Sequence, residues 1–287
     1  MGYIEFDDNG LDTWTDETRF EVTRERIAEY AAATNDPIEA HRNGDVAPPV
    51  FAIVPVFESL MEPTLEVVPM EIFGRGVHGE QDFHFHRPMR PGDKLVSRAN
   101  MTGYEGLEKG TRACVYIECR TEDGELVNEQ YVTIFFRGAD ASTGKKVGEL
   151  SPDHRFDAAL RTSAPVAKVS AHVDADQTFR YAPASGDPVP IHLDEQVARD
   201  AGLPGIIAHG LCTMAFTSWA VLSEVADSDV TRLRRLAVRF AKMVFPNDDL
   251  ETRIWRVGSE NDSTTYAFET ARGDDLVITD GLAEIRD

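Results

Sequence analysis

The chain repeats itself, and that repeat constrains its fold more than any single motif. Tyr30-Ala-Ala-Ala-Thr34-Asn35-Asp36 parallels Tyr181-Ala-Pro-Ala-Ser185-Gly186-Asp187 at an offset of 151. A histidine lies five residues after each aspartate, His41 after Asp36 and His192 after Asp187. Further on, Pro91-Gly92-Asp93 parallels Pro246-Asn247-Asp248 at an offset of 155. Two anchors in the same order at nearly the same offset indicate duplication. At 287 residues the chain can bury two cores. We therefore expect one domain over residues 1–150 and another over 151–287, joined by a polar link at 138–165.

Each half shares a coarse element order. In the first, residues 23–34 have helical period, with Ile27, Tyr30 and Ala31 on one face. Residues 48–60 predict a second, very apolar helix, with Pro near its start. Strands are expected at 81–87, 94–102, 111–120 and 127–137, separated by Gly-Asp and Asp-Gly turns. In the second half 166–173 is strand-like. Residues 194–200 predict a short helix capped by Asp194, and 211–225 a long apolar one. Strands follow at 232–244, 251–257, 264–270 and 276–284. A long helix that is apolar nearly all round must be covered on all sides.

The segment from Tyr181 to Asp194 carries the candidate chemistry. Asp187 and His192 lie among Gly and Pro, where apolar patterning does not explain them. A carboxylate and an imidazole together can hold and deprotonate a water. Then Gly205-Ile-Ile-Ala-His209-Gly210-Leu211 opens the long helix. A backbone N–H at a helix start can stabilise charge developing on an oxygen. An Asx-turn at Asp187 is the plainer alternative, as a tight helix entry is for Gly210 and a satisfied structural role for His209. Ser185 can bond the Asp187 loop or cap a helix.

Ser185, Asp187, Pro190, Ile191, His192, Asp194, His209 and Gly210 together resemble the MaoC-like (hydratase 2) family of R-specific enoyl-CoA hydratases and 3-hydroxyacyl dehydratases. The family pattern is roughly S-x-D-x-N-P-[IL]-H-x-D, a helix, then His-Gly. Val189 departs, standing where the family has an Asn whose amide would order the loop or touch substrate. The resemblance implies an α+β double hotdog, each half an antiparallel sheet wrapped around a long helix. It implies that Asp187 and His192 hold the water that adds to the β-carbon of a trans-2-enoyl thioester, giving the (R)-3-hydroxyacyl product. Gly210 would supply the oxyanion N–H, while Ser185 and His209 would line the substrate site. The first half keeps Asp36 and His41 but has Ala47-Pro48-Pro49-Val50 in place of His-Gly, and Pro49 has no N–H to donate. We expect one active site per chain, in the second half, with the first half shaping the acyl tunnel.

Net charge is −21. Such a surface repels nucleic acid and anionic membranes, so neither is an expected partner. An acyl-CoA or acyl-carrier-protein substrate needs a local basic patch. Residues 231–247 contain no acid but hold Arg232, Arg234, Arg235, Arg239 and Lys242. Arg235, Arg239 and Lys242 are the candidate CoA contacts, with Arg87 and Arg90 at the matching place in the first half. A solvated strand face is the alternative. No cofactor is expected beyond the CoA thioester itself. His84 and His86 share a strand face, but no third ligand is suitably spaced, so no metal is expected. Cys114, Cys119 and Cys212 form no CxxC pattern, and there is no signal-like start. A cytoplasmic monomer or homodimer is the expectation. Two other functions compete. A hotdog thioesterase would carry a carboxylate on the central helix, and residues 211–222 have none. A non-catalytic acyl-thioester-binding subunit would not need Asp187, His192 and Gly210.

Overall fold

The computed structural model describes residues 4–287. It is an α+β protein that divides into two compact units, and neither is one run of sequence. The first runs up to Phe20 and takes in Pro55–His84 and Lys94–Asp153. The second comprises Glu21–Val54, Phe85–Asp93 and His154–Asp287. The last crossing lies between Asp153 and His154. The segments around the first Asp–His pair and around Arg87 belong to the second unit.

In chain order the elements are β1 (Thr18–Glu21), α1 (Arg24–Ala33), α2 (Glu39–Arg42), a 3₁₀ stretch at Pro49–Leu60, α3 (Glu62–Val67), α4 (Met70–Phe73), β2 (Gly76–Phe85), β3 (Lys94–Leu107), β4 (Gly110–Thr121), β5 (Leu126–Arg137) and β6 (Lys146–Gly148). Then come β7 (Ala167–His172), α5 (Gln177–Ser185), α6 (Glu195–Asp200), α7 (Gly210–Val225), β8 (Leu233–Phe240), β9 (Asp249–Glu260), β10 (Ser263–Arg272) and β11 (Asp275–Arg286). No helix among the described residues is long and apolar enough to cross a membrane.

The first unit is built on strands in the order β1-β3-β4-β5-β2, with β6 on β3. Leu95, Ser97, Ala99 and Met101 turn one face of β3 inward at the two-residue strand period. Phe6 stacks on Tyr104 at 4.7 Å and meets Phe136 edge-on. The expected apolar α-helix at 48–60 forms as 3₁₀ turns instead, and the unit boundary falls within it. Pro55 sits inside it and has no N–H to complete an α-helical ladder. The segment is nonetheless core, with Val50, Phe51, Ala52 and Ile53 fully buried.

The second unit holds the antiparallel order β8-β11-β10-β9-β7. Helix α7 packs against β7, β8, β9 and β11. Every residue from Leu211 to Leu222 is buried, as the expectation of a wrapped helix requires. Asp194 caps α6 as read from sequence, its carboxylate accepting from Gln196 and Val197 N–H at 2.8 and 3.0 Å.

Helix α5 was not legible, because Pro183 lies within it. It packs against α1, its repeat partner. The rings of Tyr30 and Tyr181, 151 positions apart, lie 5.6 Å from each other with their hydroxyls at 3.3 Å. Equivalent residues that touch imply a local two-fold axis between them, so the repeat is structural. Local details repeat as well. Thr34 Oγ1 donates to Tyr30 O and Ser185 Oγ to Tyr181 O, both at 2.9 Å. Asp36 N–H donates to Ala31 O, and Asp187 N–H to Ala182 O.

Candidate active site

Asp187 follows α5 directly, and the helix end aims it. Gly186 takes the left-handed conformation at φ 80°, which ends the helix and turns the chain. Ser185 Oγ accepts the Asp187 N–H at 3.3 Å, so Ser185 ties down the loop. Asp187 Oδ1 accepts Val189 N–H at 3.2 Å, an Asx-turn. The plainer alternative therefore holds, but it occupies only one of the two carboxylate oxygens. Val189 is exposed and contributes its backbone N–H to this loop, not its side chain.

His192 closes the short 3₁₀ turn Pro190–His192 and is buried. Its Nδ1 lies 2.8 Å from the carbonyl oxygen of Ile207. A carbonyl only accepts, so Nδ1 carries the proton and the neutral ring keeps its lone pair on Nε2. His209, the residue capping α7, donates from Nε2 to the Asp187 carbonyl at 3.2 Å. Its ring stacks on His192 at 3.8 Å and an angle of 26°, and Tyr181 stands 4.9 Å from it on another side. His209 thus braces both halves of the pair. Its Nδ1 is buried and makes no hydrogen bond among the described residues.

Burial sets the electrostatics. It raises the Asp187 carboxyl above its ordinary value, against the lowering effects of the Val189 N–H and of His192. It lowers His192, against the raising effects of the Ile207 carbonyl and of Asp187. Burial and the neighbouring His192 push His209 down to about 3, so His209 is neutral at any physiological pH. Both shifts bring the proton affinities of Asp187 and His192 closer together than those of an ordinary carboxyl and imidazole.

Asp187, His192 and His209 each offer one donor atom, and these atoms lie within 4.8 Å of one another. A water making hydrogen bonds of about 2.8 Å bridges such a gap at an angle of roughly 120°. A metal fits less well. Imidazole nitrogens bind zinc at about 2.0 Å along in-plane lone pairs. The lone pairs of two stacked rings run side by side instead of converging.

Gly210 opens α7 one residue after His209. As the first helical residue, its N–H has no acceptor within the helix. A Cβ there would meet the Phe240 ring at 3.3 Å, so Phe240 at the end of β8 walls this position. Strand alternation turns Phe240 inward but does not place it beside Gly210, and nothing in the sequence marks the Ile207 carbonyl. Tyr181 was visible only as a repeat anchor.

The first repeat's pair is arranged differently. Asp36 and His41 are buried and bond each other directly, Oδ2 to Nδ1 at 2.8 Å. Asp36 Oδ1 accepts Ile38 N–H. Ala47 N–H bonds Met89 O as Ala208 N–H bonds Val244 O, and prolines follow Ala47 where His209 and Gly210 follow Ala208.

The basic strand is not bare. The antiparallel register sets Glu284 opposite Arg235 and Thr279 opposite Arg239. Arg235 pairs with Glu284 at 3.7 Å and Arg239 with Asp280 at 4.0 Å, while Lys242 pairs with Asp275. All three acids come from β11, which no reading of β8 alone could reveal. Arg87 is bound by Asp93 at 2.8 and 3.1 Å.

Residues 158–275 match the MaoC like domain, and residues 10–130 match the FAS1-like dehydratase domain region. The chain is 30% identical over 246 residues to a mouse protein named peroxisomal multifunctional enzyme type 2, covering 83% of this chain but 31% of that one. It is 31% identical over 216 residues to 3-hydroxyacyl-thioester dehydratase Y of Mycobacterium tuberculosis, covering 72% of each. Among solved structures, a MaoC-like dehydratase from Phytophthora capsici superposes with a TM-score of 0.81 at 21% identity, over 97% of this chain and 96% of that one. With its double-hotdog elements and these matches, the chain belongs to the MaoC-like dehydratase family of hydro-lyases.

Proposed function

We propose that the protein reversibly hydrates trans-2-enoyl-CoA to (R)-3-hydroxyacyl-CoA. The observation that carries this is the donor set of Asp187 and His192: within 4.8 Å, half-buried to buried, and not bonded to each other. They hold one water, with His192 Nε2 as an acceptor. As the water oxygen bonds the β-carbon, the C=C electrons move to form the enolate of the thioester. The Gly210 N–H faces the negative oxygen. One water proton passes through the pair to the α-carbon, the thioester carbonyl re-forms, and both side chains return to their starting states. Dehydration runs the same steps backward. Relatives named "Probable enoyl-CoA hydratase 2" in Dictyostelium discoideum and "Enoyl-CoA hydratase 2, peroxisomal" in Arabidopsis thaliana support this substrate class.

The direct Asp36–His41 bond supports a single site per chain. A carboxylate and an imidazole bonded directly to each other inside the core leave no gap between them for a reacting water. The first half then serves to shape the acyl tunnel. Contact of Arg239 or Lys242 with CoA phosphates would exchange one exposed ion pair for another, which changes free energy little.

The test is crotonyl-CoA, followed at once by loss of enoyl absorbance and by a free-thiol reagent. Hydration consumes the enoyl band without releasing thiol. Thiol release at the same rate would establish a thioesterase, and neither signal would leave a binding subunit.

A further inference from the structure

The acid-free run at residues 231–247 is only partly explained by its pairing with β11. Arg232, Arg235 and Arg239 each meet an acid. Arg234 and Arg286 meet none among the described residues, although the chain carries 50 acids. Both line one small cavity of about 210 Å³, together with Arg87, His86, Thr231 and Leu233. Asp93 grips Arg87 from outside the lining and fixes its guanidinium plane. Three arginines line this cavity and, among the described residues, only Arg87 is paired with an acid, so the charges of Arg234 and Arg286 repel each other there, and an anion between them would relieve that repulsion. The volume equals roughly seven waters, which suits a phosphate or diphosphate but not a whole nucleotide.

We propose that this cavity is a phosphate site, in which Arg234 and Arg286 bind a phosphate or diphosphate group by charge-assisted hydrogen bonds while Arg87 forms a third wall. Two sources share that chemistry. One is the phosphorylated end of a CoA thioester, which rests on the function proposed above. The other is a separate phosphorylated ligand. Reach is compatible with the first. Strand β8 runs seven residues from Leu233 at the cavity to Phe240 beside Gly210, roughly 23 Å at the rise of a strand. An extended pantetheine arm, thirteen bonds from sulfur to the first phosphorus, spans roughly 16 Å, and the 3′-phosphate lies further out.

The experiment has two arms on the full chain. In the first, calorimetry at low salt measures binding of adenosine 3′,5′-bisphosphate and, separately, of inorganic pyrophosphate. The parent should bind at least one. Arg234→Gln and Arg286→Gln should each weaken that binding at least tenfold, while Arg137→Gln, an equal charge change outside the cavity, should not. No binding by the parent, or equal losses in all three variants, overturns the site. Arg286 is exposed near the chain end, so its variant carries the test if Arg234→Gln does not fold. In the second arm, KM is compared for crotonyl-CoA and crotonyl-pantetheine. A tenfold rise confined to the CoA thioester assigns the site to substrate. Lost binding with unchanged KM assigns it to a separate ligand. The first arm needs no hydratase activity, so failure of the proposed reaction and failure of the site give different results.

Discussion

The oxyanion role of Gly210 can be isolated by a substitution that the backbone permits. Gly210 is the first residue of α7, where proline is favoured because the N–H there has no helical acceptor. The preceding residue, His209, has φ −62° and ψ 137°, the extended conformation that a residue before proline adopts. Gly210→Pro should therefore fold. Its Cβ would stand 3.3 Å from the Phe240 ring, which must give by a few tenths of an ångström. Gly210→Ala carries the same Cβ but keeps the N–H, so contact of the Cβ with Phe240 is common to both, and the two differ by the replacement of the N–H with the proline ring. Removing one oxyanion donor costs about 10²–10³ in turnover, or about 2.7–4 kcal/mol. We predict that Gly210→Pro falls below Gly210→Ala by this factor in kcat on crotonyl-CoA, with circular dichroism melts confirming that both fold. Equal activity in the two variants would refute the donor.

Asp187→Asn and His192→Ala should each lower turnover at least roughly 100-fold, measured by loss of enoyl absorbance; near-parent rates from either would remove the water-holding pair from the mechanism. Asp36→Asn should leave turnover within a few-fold while lowering stability by about 1–3 kcal/mol, since the buried His41 bond is weakened; an activity loss as large as that of Asp187→Asn would mean that both repeats are catalytic. If the acid limb of kcat/KM reports protonation of His192, it should lie below the ordinary imidazole range, because burial lowers that ring; an acid limb above the ordinary imidazole value contradicts a neutral His192. Stability should fall as pH drops from about 6.5 toward about 3, where the unfolded chain takes up protons that the buried His209 refuses. Asp187, being raised, opposes this over the carboxylate range. His209→Phe should flatten the drop in thermal melts, and an unchanged pH dependence would show that His209 does not set it.

Much of this site was legible because short-range rules govern it. Asp194 reads as a cap from its place before a helical run, and the His209-Gly210 opening reads from the apolar residues that follow. The Asp–His spacing and its echo at Asp36 located the repeat. What escaped depends on partners distant in sequence. Pro183 hid α5, although the repeat had already aligned it with the helix at Tyr30. Pro55 turned an apolar helix into 3₁₀ turns. The pairing of Arg235 with Glu284 depends on strand register, which β8 alone does not encode. The tautomer of His192 depends on a backbone carbonyl, and no side chain at Ile207 announces it. The division of the chain into interleaved units likewise follows from packing and not from local composition.

The central claim is that the water held by Asp187 and His192 attacks the β-carbon of an enoyl thioester. Crotonyl-CoA turned over in isotopically labelled water, with chiral separation and mass analysis of the product, tests it in one measurement. The account predicts (R)-3-hydroxybutyryl-CoA with the heavy oxygen on the β-carbon and none in the carbonyl. Heavy oxygen in a free carboxylate, or an S-configured product, would contradict it.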